Sequence, residues 1–251
     1  MTMRFVIFLL VILDVNVESL QNLVPTWKGF PRASQQRGGP AIEEDLVQAI
    51  ASGAAAESDI MSLVSQLESL PSISQPAIAP EIYGRWKLLY TTSPNTSSPI
   101  QRTATSSSSK FPIYQDILVE DEQLVVNQVI EFSDSNLLTV NALASTAAYP
   151  LPELTERRST GKVLGLNVLG VSLVGEEAQP REDRPDSRID FVFDAGYFAL
   201  GTTTIPYPVP FRLPILRDWV KGWIDVTYLS STLRISRGNK GSLFVLVKAN
   251  E

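Results

Sequence analysis

Asp190 and Asp194 stand four residues apart in an alternating run, and Glu120, Asp121 and Glu122 sit together at a turn. Paired carboxylates can act as general acid and base. Nothing near these in sequence shifts a carboxylate toward neutrality, so they read as solvated surface charge. The 251 residues contain no histidine and no cysteine. Histidine triads, Cys/His dyads, imidazole zinc sites and disulfides are therefore excluded. Gly238-Asn239-Lys240-Gly241-Ser242 has the residue types of a phosphate loop, but the first glycine is missing at the required spacing and no helix follows. The chain reads as non-enzymatic, with no catalytic residue, no metal site and no cofactor. A formal net charge of −6 argues against a nucleic-acid partner, which needs clustered Lys and Arg.

The residues that could bind something are apolar. Gly84-Arg85-Trp86 places a glycine where a chain can turn tightly and an indole where it can close one end of a β-barrel. A basic side chain from a late strand can then stack on the ring, and Arg234 and Arg237 are the residues available for it. Period-two alternation puts Trp86, Leu88 and Tyr90 on one face, and Ile130, Phe132, Phe191 and Phe193 on corresponding faces. These seven are the candidate lining of the interior, which in an eight-stranded barrel holds either packed side chains or one small apolar ligand. Ile205 to Leu216 combines four prolines with a run of aliphatic and aromatic side chains. Proline excludes a central strand and a regular helix there. The segment is expected to be a loop at the barrel rim, either with Tyr207, Phe211 and Leu213 facing lipid and Arg212 and Arg217 near headgroups, or as a strip that caps the open end of the barrel.

The elements that must position these residues follow from periodicity. Apolar residues from Ile42 to Leu70 recur at helical spacing, interrupted at Gly53. Glu43, Glu44 and Asp45 are expected in the first turn of the first helix, and Ser58 as N-cap of the second. Pro71, Pro76 and Pro80 end the helices in an extended linker. After Glu81 the period becomes two, with strand runs at 86–91, 124–132, 137–146, 162–174, 188–198, 223–229, 233–236 and 243–248. The expected fold is mainly β: an antiparallel barrel of about eight or nine strands with an N-terminal helical segment. Residues 1–40 begin with Arg4 and an apolar run, then continue rich in Ser, Gln, Gly and Pro with no acid between Glu18 and Glu43. This reads as a signal followed by a transit-like stretch, the alternative being the signal and flexible arm of an ordinary secreted protein. The expected organisation is a targeting region at 1–40, helices and Pro linker at 41–80, and a barrel at 81–251.

The segment from Val220 to Leu246, containing Lys221-Gly-Trp-Ile-Asp-Val-Thr-Tyr-Leu229 and Leu233-Arg-Ile-Ser-Arg-Gly238, resembles the C-terminal signature of the plastid lipid-associated protein (PAP/fibrillin) family. Gly84-Arg-Trp-Lys-Leu-Leu-Tyr-Thr-Thr92, Ile113-Tyr-Gln-Asp-Ile117 and Asn127-Gln-Val-Ile-Glu-Phe132 accompany it in the family's order. The resemblance implies a lipocalin-like domain in plastids that binds or organises carotenoids, prenylquinones or other lipids at plastoglobules, thylakoids or in the stroma. It brings no catalytic residues. The implied partners are a hydrophobic small molecule or lipid and the surface of a plastid lipid droplet or thylakoid. Two readings compete with it: a scaffold for a lipid or quinone biosynthetic enzyme without a ligand of its own, and a lipocalin-like enzyme that modifies an isoprenoid or carotenoid.

Overall fold

Alternation from Gly84 onward produces strands that close on themselves. The computed structural model describes residues 38–92, 111–155, 166–168, 171–173, 186–207, 211–214, 220–238 and 241–249. Residues 1–37 of the expected targeting region lie outside the described residues, as do residues 93–110 and 174–185, whereas Gly39 and Pro40 already belong to the first helix. The strands are β1 (Gly84–Thr91), β2 (Ile113–Glu120), β3 (Gln123–Ser133), β4 (Asn136–Ser145), β5 (Leu166–Val168), β6 (Val171–Leu173), β7 (Arg188–Leu200), β8 (Thr203–Pro206), β9 (Lys221–Leu229), β10 (Leu233–Gly238) and β11 (Leu243–Lys248).

The main sheet runs β4-β3-β2-β1-β11-β10-β9-β7-β8, and β7 also pairs with β4. Eight antiparallel strands therefore form a closed barrel, which removes its sheet edges. The first part of β7 pairs with β9 and its last residues pair with β8. Pro206 sits in β8, at the edge, the position where a strand tolerates a missing N–H. The run expected at 162–174 is not a barrel strand: its described residues form the separate β5–β6 hairpin.

Two helices, α1 (Gly39–Ser52) and α2 (Glu57–Ser69), cover one outer face of the barrel. Leu46, Leu63, Val64 and Leu67 pack on Leu233, Ile235, Leu243 and Val245. Gly53 ends α1 in the left-handed region at φ 63°, as a glycine can without steric cost. Since α1 begins at Gly39, with Pro40 in its first turn, Glu43 to Asp45 lie one turn later than expected; the N-cap of α2 is Ala56, not Ser58. Glu43 instead reaches the barrel, accepting from Tyr228 Oη at 2.7 Å and Thr232 Oγ1 at 2.8 Å. Burial and this carboxylate push the Tyr228 hydroxyl well above its usual range.

Candidate functional site

The barrel interior is built in three parts. At the end where β1 begins, Ile82, Trp86, Ile117, Leu124, Val126, Ala144, Ile189, Val226, Leu229 and Leu246 pack into one cluster. Gly84 enters this end at φ +103°, a conformation strained for any residue with a Cβ. Two residues later Trp86 is fully buried and donates from Nε1 to the Ile82 carbonyl at 2.8 Å. A short 3-10 turn, Pro80–Ile82, supplies that carbonyl.

Above the indole sits a polar layer. The Arg234 guanidinium carbon lies 5.1 Å from the Trp86 ring centroid and Lys248 Nζ lies 4.5 Å from it. Lys248 donates to the carbonyls of Glu81 and Tyr83. Arg234 Nη2 donates to Gln115 Oε1, whereas its Nε and Nη1, and Ser236 Oγ beside them on β10, are buried without a hydrogen-bond partner. Burial pushes Arg234 down to about 9, which leaves it charged at neutral pH. Lys248 is lowered by burial and then by the charge of Arg234, against a smaller opposing effect of Glu81.

Toward the other end the lining becomes aromatic. Phe191 and Phe193 meet at 5.4 Å, Phe193 and Phe211 at 5.8 Å, Phe211 and Tyr207 stack at 5.8 Å, and Tyr207 and Phe198 lie 5.6 Å apart. Two glycines make room for them. A Cβ on Gly196 would stand 2.9 Å from Tyr207 Cβ, and one on Gly222 would stand 2.6 Å from the Phe191 ring. Burial pushes the Tyr207 hydroxyl up to about 12. Ile130 is buried among these residues, and Phe132 meets Phe111 edge-on at 5.3 Å.

The proposed lining therefore divides. Trp86, Leu88, Ile130, Phe132, Phe191 and Phe193 belong to the two interior clusters. Tyr90 does not: the register slips between Leu88 and Tyr90, so that Tyr90 pairs with Val245 and packs with the helices outside the barrel. A β-bulge inserts one residue and moves every later side chain to the other face. Arg237 also leaves the site. It lies on the outer face of β10 and binds Glu68 of α2 through two 2.8 Å hydrogen bonds, so Arg234 alone of the two arginines stands over Trp86. The rim needs a similar correction. Tyr207 and Phe211 are buried against the lumen, because apolar rings find more apolar surface there than in water. Leu213 remains outside at 48% exposure, with Ile205 at 46% and Leu200 at 43%. Arg212 is held by Asp194, Nε to Oδ1 at 3.0 Å and Nη2 to Oδ2 at 2.6 Å. Pro208, Pro210, Ile215 and Arg217 fall outside the described residues.

Gln115, Ser236, Lys248, Phe198 and Phe244 were not among the expected lining. Gln115 was legible in principle, since it alternates with Ile113 and Ile117, which are both buried.

The PAP/fibrillin family model matches residues 45–247. The chain is 37% identical over 196 residues to the probable plastid-lipid-associated protein 12, chloroplastic, of Arabidopsis thaliana, covering 76% of this chain and 38% of the relative. It is 30% identical over 200 residues to the chromoplast-specific carotenoid-associated protein of Cucumis sativus, covering 76% and 60%. With plastid lipid-associated protein 1, chloroplastic, of Brassica campestris it shares 26% identity over 203 residues, covering 76% and 59%. The chain thus spans between about two fifths and three fifths of the length of these relatives. No solved structure matches it.

Proposed function

The chain belongs to the PAP/fibrillin family, and from that premise we propose that it is a non-catalytic plastid protein whose barrel takes up a hydrophobic lipid of the carotenoid, prenylquinone or related class. The observation that carries this reading is the state of the lumen. Leu88, Phe191, Phe193, Phe198 and Phe244 face inward, yet each keeps part of its surface accessible. A barrel filled by its own side chains buries such residues, whereas a lumen with room for a ligand leaves them partly open. The plastid assignment is supported by relatives named as chloroplastic or chromoplastic. The non-catalytic assignment is supported by the carboxylates: Asp194 is engaged by Arg212, Asp225 by Arg188 and Asp116 by Arg85, which leaves none of these three poised as a base. Leu200, Ile205 and Leu213 form the exposed apolar edge through which the barrel meets a plastoglobule or thylakoid surface.

A titration tests the lumen. The delipidated full chain is expected to show saturable quenching of tryptophan fluorescence by a short-chain plastoquinone analogue. Phe198→Asp, which sets a charge in the aromatic mouth, should weaken the titration about tenfold or more with the far-ultraviolet circular dichroism unchanged. Absence of saturable quenching in the unsubstituted chain would overturn the proposal.

A further inference from the structure

Resting on the lumen reading above, we infer that, beyond neutral isoprenoids, the lumen also takes lipids that carry an anionic carboxylate, bound by Arg234 and Ser236 in the polar layer of the barrel.

Arg234 is 0% exposed, and two of its three nitrogens have no acceptor. Two residues further along the same inward face, Ser236 presents a buried hydroxyl that is also without a partner. Donors buried without acceptors are unfavourable, and natural interiors keep few of them. Neither Arg234 nor Lys248 forms an ion pair with a carboxylate among the described residues, although both stand over the same indole within about 5 Å of its centroid. The ring faces both cations but cannot accept the in-plane Nε–H and Nη1–H bonds, and the two faces on which a carboxylate binds a guanidinium in bidentate fashion, Nε–H with Nη2–H and Nη1–H with Nη2–H, share the Nη2–H that Gln115 holds. Lys248 gives its protons to the Glu81 and Tyr83 carbonyls, so its charge contributes at short range without occupying the acceptor position.

Gln115 shows how the ligand reaches the guanidinium. Its amide oxygen accepts from Arg234 Nη2 and so stands where one carboxylate oxygen would stand. The side chain is only partly buried, so it has space to swing toward the lumen and yield that place. The apolar tail then lies along Leu88, Phe193 and Phe198 toward the aromatic mouth. A neutral isoprenoid satisfies the aromatic part of this lumen but leaves Arg234 and Ser236 unmatched. A long-chain acid satisfies both.

Oleate, methyl oleate and oleyl alcohol share a tail and differ only in the head, so their dissociation constants from the delipidated full chain, measured by isothermal titration at pH 8, isolate the anchor. Oleate is expected to bind at least about tenfold more tightly than the ester or the alcohol. Ser236→Ala should narrow that gap, and Arg234→Met should abolish it while leaving ester binding in place. If Arg234→Met does not fold, the comparison of the three heads on the unsubstituted chain together with Ser236→Ala still decides. Equal affinity for the three heads would overturn the carboxylate anchor and leave the apolar lumen standing. Binding by none of them would overturn both.

Discussion

Trp86→Ala is expected to lower stability by about 3–5 kcal/mol, the range for truncating a large buried aromatic. Trp86 is fully buried in the cluster that plugs one end of the barrel, and its Nε1–H satisfies the Ile82 carbonyl of the turn beneath it. Its removal leaves a cavity, an orphaned carbonyl, and the buried Arg234 and half-buried Lys248 without the ring they share. Denaturant melts with a common m-value measure the change. A loss below about 1 kcal/mol would mean that the indole does not close the barrel.

Asp225→Ala should cost a similar amount, about 3–5 kcal/mol, through a different mechanism. On the outer face of the barrel Arg188 Nε and Nη2 donate to the two Asp225 oxygens at 2.6 and 2.7 Å. The two side chains are only 7% and 8% exposed, and the guanidinium lies 3.9 Å over the Trp223 ring. The single substitution removes the carboxylate that holds Nε and Nη2 of a buried cation, which costs far more than the intact pair contributes. The double variant Arg188→Met/Asp225→Leu removes both charges and is expected to lie much closer to the unsubstituted chain. If the double variant is as unstable as the single one, shape complementarity rather than charge sustains this face. Asp194→Ala, which breaks an ion pair with the exposed Arg212, should matter far less than either.

The sequence revealed the barrel because alternation persists through nearly every strand and, among the described residues, no helix interrupts it between β1 and β4. It revealed one end of the site because Gly-x-Trp is a compact signal: the left-handed glycine and the buried indole lie two residues apart, and local geometry carries both. It did not reveal the fate of Tyr90. Leu88, Leu89 and Tyr90 are all apolar, so no polar residue marks where the bulge changes the face. Arg234 and Arg237 are separated by an odd number of residues, which puts them on opposite faces of an extended strand. That distinction was available from spacing alone. What concealed it is that β10 inverts the ordinary pattern: Leu233 and Ile235 point out to the helices, while Arg234 and Ser236 point in. Only the covering of that face by α1 and α2 makes the inversion intelligible. The proline strip failed for a related reason. Pro206 and its neighbours correctly exclude a central strand, but whether Tyr207 turns outward or inward depends on Gly196, eleven positions earlier, whose missing side chain opens the space the ring occupies.

Organic extraction of the full chain purified from its plastid under native conditions, followed by mass spectrometry and quantitation of the extract against protein, reads directly whether the lumen holds a lipid. A stoichiometric hydrophobic ligand is expected, released on extraction and depleted in the Phe198→Asp variant. Folded protein that yields only trace lipid, unchanged by that substitution, would contradict it.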